Sequence, residues 1–321
     1  MKEMEKRLDI LFRCLVAAVI LPGCVRAPAP AAGAGDVAVS VRFVPDEGLA
    51  KSEGPDRFSI SDINLFVFEP DGFLTDRIYL QGASAETELR LPKWSRISLY
   101  ACANLGFPLE GITTLKQLKN FRYYLIFPDD FRNGLPLCGI REDLIIGDGA
   151  MSLDLPMVSL FSRFTLSMDR TALDPEVKIR VRRAMVGGCP NSITPFAPSR
   201  AESAAHLFAK GFSLPETGCA PINAVRSGGR SGEIDLYALE NLQDGHLSSL
   251  CTYIELTVDY QSPAYYSARD RYLTYRFHAG NDYDVERNGR YRYVIRPEGE
   301  GLSGDAWSVD RSRLGTLSLE P

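Results

Sequence analysis

Cys24 is the residue whose type and position could do the most specific chemistry in this chain. Its sulfur is nucleophilic and can form a thioether bond. The basic residues Lys2, Lys6 and Arg7 come first, followed by a short apolar run from Cys14 to Leu21. This order is typical of a signal peptide. The run is far below the ~20 residues that a membrane-spanning helix needs, so we do not expect it to persist as a span.

The segment Leu21–Cys24 resembles the lipobox of bacterial lipoproteins. The resemblance implies that the thiol is acylated, that residues 1–23 are removed as a lipoprotein signal peptide, and that Cys24 becomes a lipid-bearing N-terminus. The alternative is an ordinary secretory signal that is cut near Ala32 and discards Cys24. Residues 24–35 are rich in Pro, Ala and Gly and are predicted to form a tether that buries nothing.

Other arrangements of reactive side chains give no sign of an enzyme. His206, His246 and His278 are far apart and match no zinc-binding spacing. The chain has neither a Gly-x-Ser-x-Gly motif nor a phosphate-binding loop. The segments 147–149 and 281–284 lack the spaced carboxylates of a calcium loop and are predicted to be turns. We therefore expect no catalytic residues, no metal and no cofactor.

Composition limits the classes of partner and the number of domains. Removal of residues 1–23 from the 321-residue chain leaves enough sequence for two domains. The net charge of −5 provides no basic field for nucleic acid.

The cysteines form no disulfide framework of the kind found in small secreted proteins. An odd number remains after removal of Cys14 and lipidation of Cys24, so at least one thiol is unpaired in a monomer. Two interpretations remain open: the cysteines form two disulfides, or they are buried free thiols. The remaining cysteines are Cys102, Cys138, Cys189, Cys219 and Cys251.

The chain from residue 36 onward is predicted to form mostly strands. Val37, Val39, Val41 and Phe43 alternate with polar residues, as in a half-buried strand. Further strands recur at regular spacing with turn signals between them, which favours β-sandwiches. One helix is predicted after Thr113 or Thr114, with an apolar stripe at Leu115, Leu118, Phe121 and Leu125.

The predicted fold is all-β with a minor helix, arranged as two domains. The first is predicted to span 36–170 and the second 171–321, with a long insertion near 189–232. In the second domain, Lys178, Arg180 and Arg182 give one strand a basic face, which either binds an anion or is simply solvated.

Several short sequence motifs in the mature chain resemble, in the same order, motifs of Bacteroidetes fimbrillin-like proteins. They are Leu65–Gly72, Leu135–Gly139, Leu160–Phe164, Tyr237–Gln243, Asp284–Tyr291 and Trp307–Asp310. The resemblance implies two tandem transthyretin-like β-sandwich domains, exported as a lipoprotein of the outer membrane and cell surface. It also implies a role as anchor, tip, shaft or accessory subunit of a fimbria, in assembly and cell adhesion.

In this family, partners are other fimbrial subunits, which are joined by addition of a strand to a sheet. The resemblance also implies that shaft subunits lose their first strand through cleavage after a basic residue. Lys51 and Arg57 follow the Val37–Phe43 strand and are the candidate cleavage positions. An anchor would keep this loop uncut.

The alternative function is that of a surface lipoprotein that binds a host or other glycan. Tyrosines concentrate in the second predicted domain, and exposed rings can stack on sugars. Tyr265 and Tyr266 lie beside Pro263 in a predicted loop and are the candidate stacking pair. Tyrosine is also a good strand residue, so the same concentration is expected of a sheet core.

Overall fold

The computed structural model describes residues 35–45, 60–82, 85–130, 134–224, 229–263, 272–302 and 306–314. Over these residues the secondary structure is dominated by strands, in agreement with the predicted all-β class. The strands are β1 (Asp36–Pro45), β2 (Asp62–Phe68), β3 (Leu74–Gln81), β4 (Glu86–Pro92), β5 (Arg96–Ala103), β6 (Tyr123–Tyr124), β7 (Leu137–Ile145), β8 (Met151–Ser159), β9 (Phe161–Met168), β10 (Lys178–Gly187), β11 (Ser192–Ile193), β12 (Phe212–Leu214), β13 (Ile234–Leu239), β14 (Tyr253–Gln261), β15 (Tyr272–His278), β16 (Arg290–Pro297) and β17 (Trp307–Leu314).

The helices of the described chain are short. They are α1 (Leu115–Lys119), α2 (Ala220–Asn223) and two 3-10 helices at Ala204–His206 and Glu216–Cys219. None of them has the length and apolar character needed to cross a membrane.

The first half of the chain forms a seven-stranded sheet in the order β3-β2-β5-β7-β8-β1-β4. Strand β8 connects its two parts, since Met151–Met157 pair with β1 and Val158–Ser159 pair with β7. The inward residues of β1, β4 and β8 share one apolar core with those of β2 and β5. This half is therefore a two-layered sandwich whose layers meet at β8.

The second half contains two four-stranded sheets, in the orders β12-β10-β14-β15 and β13-β9-β16-β17. Aromatic side chains join the two sheets: Tyr275 of β15 stacks on Trp307 of β17 at a centroid distance of 3.4 Å. Phe277 of β15 also packs against Tyr293 of β16 at 5.5 Å. These contacts build the second core between the sheets.

Strand β9 lies just before the predicted boundary at 170 but pairs with strands that follow that boundary. It pairs antiparallel with β13 and parallel with β16, so it belongs to a sheet of the second half. Sheet membership thus changes at Leu160, between β8 and β9. Periodicity places β9 as a strand but cannot reveal that its partners lie far away in sequence.

The predicted helix exists but is shorter than its apolar stripe. Thr114 is the N-cap: its side chain accepts from the Gln117 backbone N–H, and the Gln117 side chain reciprocates in a capping box. The helix ends at Lys119 with Asn120 as its C-cap, and Phe121 and Leu125 lie beyond it. The chain instead extends into β6, which pairs with β11.

The predicted long insertion near 189–232, called the excursion below, packs against both halves rather than forming a separate unit. Its strand β12 extends the sheet of β10, and β11 reaches β6 in the first half. Phe196 of the excursion packs edge-on against Tyr100 of β5, with ring centroids 5.2 Å apart. One apolar cluster therefore continues from the outer face of β2 and β5 into the second half.

Candidate functional site

The residues that the sequence singles out for lipidation, cleavage and ligand stacking all lie outside the described residues. They are Cys24, Lys51, Arg57, Tyr265 and Tyr266. Their roles therefore stay predictions. The structure does describe the strands to which these segments connect: β1 follows residues 24–34 and precedes 46–59, and 264–271 lie between β14 and β15.

Strand β1 is the described element that matters most for these predictions. Val39, Val41 and Phe43 are at most 1% exposed, and Val37 is 6% exposed. Burial of these four side chains contributes about 6–12 kcal/mol in transfer free energy, at ~1.5–3 kcal/mol each. The predicted alternation is thus observed, and the buried face holds β1 in its sheet.

Both edges of β1 are paired. It runs antiparallel to β4, with Val39 opposite Leu89, and parallel to β8, with Val41 opposite Leu153. On the outer face, the Arg42 guanidinium donates two hydrogen bonds to the Asp154 carboxylate at 2.6 and 2.7 Å. This pairing lowers the pKa of Asp154, chiefly through the hydrogen bond to Arg42.

Loss of β1 would leave a slot in the first sandwich. Strands β4 and β8 would form its two sides, on which Leu89, Leu91, Leu155 and Met157 are buried at present. The backbone groups of β4 and β8 that now pair with β1 would also lose their partners. An incoming strand with alternating apolar residues has the chemistry to fill such a slot.

The strands at the sheet edges offer a second way to pair with another chain. In the described sheets, β3 and β4 end the seven-stranded sheet, whereas β12 and β15, and β13 and β17, end the other two. Strand β4 carries charges on its outer face, where Arg90 pairs with Glu88 at 2.6 Å. Charged side chains on an edge oppose uncontrolled pairing.

A buried polar cluster lies where the excursion meets the second half. The Arg287 guanidinium donates to Glu240 at 2.6 and 3.0 Å, and to the carbonyls of Pro195 and Ala197. Burial alone would lower the pKa of Arg287, but the hydrogen bond and charge of Glu240 outweigh it and raise that pKa. The Glu240 carboxylate also accepts from the Ser199 backbone N–H at 2.8 Å.

Asn241 extends this cluster beside Glu240. Its side-chain oxygen accepts from the Ala201 N–H at 3.0 Å, and its amide donates to the Leu250 carbonyl at 2.8 Å. Two of the motifs that resemble fimbrillin-like proteins thus meet in one cluster. They are Tyr237–Gln243 and Asp284–Tyr291. The sequence alone assigns these residues no role, because isolated motifs do not reveal that their side chains pair.

The five cysteines of the described chain are free and buried. Burial raises the pKa of the Cys138 thiol to about 11 and that of Cys189 to about 12. Burial also raises the pKa of Cys102, which lies opposite Cys138 in the β5–β7 pair. Of the two alternatives left open by the sequence, the structure contains the buried free thiols.

Two of the three basic residues on the predicted basic face of β10 have acidic partners. Arg180 and Arg182 both pair with Glu216, and Arg182 also pairs with Asp259. The hydrogen bond from Arg182 is the main cause of the lowered pKa of Glu216. The two arginines of this face therefore have carboxylate partners of their own.

Three other features considered from the sequence can be placed in the structure: the possible metal ligands, the turn at 281–284 and the tyrosines. The described residues contain no cluster of three or more His, Cys, Asp or Glu that could hold a metal. Asn281 and Asp284 exchange two backbone hydrogen bonds around a tight turn, as predicted for that segment. Tyr237, Tyr260, Tyr291 and Tyr293 are buried, so part of the tyrosine concentration is explained by core packing.

Comparison of the whole fold with solved structures gives strong matches at low sequence identity. A fimbrilin from Porphyromonas gingivalis W83 matches with a TM-score of 0.59 and 11% identity, covering 89% of this chain and 99% of that chain. The tip fimbrial protein Mfa3 from Porphyromonas gingivalis matches at 0.55 and 11% identity, with 87% and 98% coverage.

A fimbrial assembly protein from Parabacteroides distasonis matches at 0.52 and 12% identity, with 87% and 98% coverage. No family model matches the sequence, and no curated protein matches it. The chain therefore has the fold of these fimbrial proteins over 87–89% of its length, as the resemblance in its sequence predicted.

Proposed function

We propose that this chain is a lipid-anchored subunit of a cell-surface fimbria. It acts in fimbrial assembly and cell adhesion by pairing its strands with those of other subunits. The observation that carries the proposal is the fold: three proteins described as fimbrial share it over at least 98% of their own length, and none is a fragmentary match. The lipobox resemblance at Cys24 supplies the attachment to the outer membrane.

Within this proposal, the anchor role requires that β1 is kept, whereas the shaft role requires that β1 is lost. An intact β1 occupies the position between β4 and β8, so no incoming strand can bind there. Cleavage at Lys51 or Arg57 would separate β1 from the rest of the chain and convert the subunit to one that accepts a donor strand. Retention also keeps the fold covalently joined to Cys24 and hence to the lipid.

Analysis of the N-terminus of the surface-exposed protein distinguishes the anchor role from the shaft role. The anchor role requires a mature chain that begins at acylated Cys24, detected by intact mass and by N-terminal peptide mass spectrometry. A chain that begins after Lys51 or Arg57 would contradict the anchor role and support a shaft role. A Lys51→Ala, Arg57→Ala variant is the matched control, because it should change nothing in an anchor.

Capture of partners tests the fimbrial role itself. An affinity-tagged full-length chain, crosslinked on intact cells, should retain subunits with the same two-sandwich fold. Its Cys24→Ala variant should leave the membrane fraction, together with those subunits. If the wild-type chain on intact cells captures no subunit of this fold, the fimbrial proposal is wrong even if Cys24 is acylated.

A further inference from the structure

Two large apolar side chains lie exposed at one end of the first sandwich. Trp94, in the turn between β4 and β5, is 70% exposed, and Ile145, the last residue of β7, is 65% exposed. Their backbones are tied together: the Trp94 N–H donates to the Ile146 carbonyl at 2.8 Å. The Ile146 N–H in turn donates to the Ser95 carbonyl at 2.9 Å. Trp94 and Ile145 therefore lie close together in the backbone at this end of the sandwich, and we refer to the two residues as the end surface.

The backbone at Trp94 is also unfavourable for a bulky residue. Its φ is +62°, in the left-handed region that Gly or Asn adopts more readily. A tight turn alone would be served better by either of those residues. Trp94 is thus costly in conformation as well as in exposed apolar area, and a conformational outlier of this kind points to function.

Isolated exposed apolar residues are common on proteins, so exposure alone does not indicate a function. The position of Trp94 in the fold does. The Lys93 N–H donates to the Gly35 carbonyl at 2.9 Å, immediately before β1 begins. Trp94 therefore lies next to the point at which the chain arrives from Cys24. Eleven residues, from 24 to 34, can span at most about 40 Å, which sets the largest distance between an acylated Cys24 and this end of the sandwich.

We infer that Trp94 and Ile145 bind the surface of the phospholipid bilayer that holds the lipid of Cys24. The inference rests on the lipid attachment in the proposed function and adds a direct contact between the folded domain and the membrane. Tryptophan prefers the interface between lipid and water, where its ring is apolar and its N–H remains hydrated. Covalent attachment nearby raises the effective concentration of bilayer at this surface.

The charges around the surface indicate which kind of membrane contact to expect. Lys93 is exposed, but Arg96 is paired with Asp143 at 3.0 Å, and Asp148 is exposed in the β7–β8 turn. Because both signs are present, attraction to anionic lipid does not drive the contact. The contact therefore forms on a zwitterionic bilayer and changes little with salt.

Tryptophan fluorescence measures this contact directly, since the chain has only Trp94 and Trp307. The full-length lipidated chain carrying Trp307→Phe is reconstituted into phosphatidylcholine vesicles with or without brominated acyl chains. We expect the Trp94 emission to shift to the blue on reconstitution and to fall at least twofold in brominated vesicles. Added Ile145→Ser should weaken the quenching.

A second reporter serves as the matched control. Phe127 is 60% exposed but lies in the segment that follows β6 rather than at the Gly35 end of β1. A chain with Trp94→Phe, Trp307→Phe and Phe127→Trp should show no quenching in the same vesicles. Flotation of every variant with the vesicles reports the lipid attachment separately from the contact.

The outcomes separate this inference from the proposed function. Chains that float but show unquenched Trp94 would overturn the membrane contact and leave the lipid anchor intact. Equal quenching in the Trp94 reporter chain and in the Phe127→Trp control chain would also overturn it, since the contact would have no preferred end. Chains purified from the native membrane that carry no lipid and fail to float would contradict the anchor itself.

Discussion

Arg287 and Glu240 form a buried ion pair, with nitrogen to oxygen distances of 2.6 and 3.0 Å. Their side chains are 14% and 6% exposed. Removal of charges from water is costly, and the attraction offsets that cost only when the remaining hydrogen bonds are made. Here the carbonyls of the excursion and the Ser199 N–H make them, so the pair fixes the excursion against the second half.

Removal of one partner of this pair should be severely destabilising. Arg287→Met leaves the Glu240 carboxylate buried without its counter-ion, and we expect a loss of about 3–5 kcal/mol in the free energy of unfolding. The Arg287→Met, Glu240→Leu double variant should lose less than the sum of the two single variants. Urea denaturation followed by circular dichroism measures each value.

The matched control for this prediction is an exposed pair in the same region. Arg200 and Asp244 lie 2.6 Å apart, with side chains 53% and 67% exposed. Arg200→Met should cost less than about 1 kcal/mol. Equal losses at Arg200 and Arg287 would show that burial does not determine the importance of these pairs.

Opposite faces of β1 should respond differently to truncation. Phe43 is 1% exposed, and Phe43→Ala should lower the free energy of unfolding by about 3–5 kcal/mol. Arg42→Ala removes only an exposed ion pair and should have little effect on the same urea midpoint. Comparable losses would mean that the strand is shifted by one residue, which would exchange its two faces.

The contrast between β1 and Arg287 explains what the sequence could predict. The faces of β1 follow from a period of two along a single strand, which is local information. The Arg287–Glu240 pair joins residues 47 apart, and β9 pairs in parallel with β16 across a still longer stretch of chain. Long-range pairing has no local period, so the change of sheet membership at Leu160 could not be predicted from the sequence.

The candidate binding residues are harder to assess for a different reason. Cys24, Lys51, Arg57, Tyr265 and Tyr266 stand out by their chemistry and their sequence context, and they lie outside the described residues. The end surface at Trp94 is not predictable from the sequence, because its exposure arises from a turn between two layers. A tryptophan after Pro92 and Lys93 carries no periodic signal of being solvent-facing.

The buried thiols should be unreactive in the native protein. Burial raises the pKa of Cys138 to about 11, so little thiolate is present at neutral pH, and access is also blocked. Ellman's reagent should therefore react slowly with folded protein and should find all five described thiols in denaturant. The unfolded count also tests the proposed lipid, since unacylated Cys24 would add one thiol.

A lower count in denaturant would have a specific meaning. Cys102 and Cys138 lie opposite each other on neighbouring strands. A loss of two thiols, recovered by a reductant, would show that this pair is oxidised in the exported protein. A Cys102→Ser variant would then restore one reactive thiol rather than two.

Asp169 should make stability depend on pH in the acid range. Its carboxylate accepts from the Thr171 hydroxyl at 2.6 Å, and this hydrogen bond is the main cause of its lowered pKa. Arg296 and Arg230 lie within 3.5 and 3.6 Å. A carboxyl group with a lower pKa in the folded state stabilises the fold above the ordinary carboxyl pKa of 3.8.

That contribution is lost as the pH falls through the lower, folded pKa, because protonation removes the charge that Thr171 and the arginines stabilise. Asp169→Asn should cost about 1.5–3 kcal/mol at pH 7, since it removes hydrogen bonds to a charged group. Its unfolding free energy should also decline less steeply than that of the wild type below pH 3.8. Urea denaturation between pH 2 and 7, about the range in which carboxyl groups titrate, measures both effects. Exposed Asp148→Asn is the control, and parallel pH profiles for wild type and Asp169→Asn would remove Asp169 as a source of the acid sensitivity.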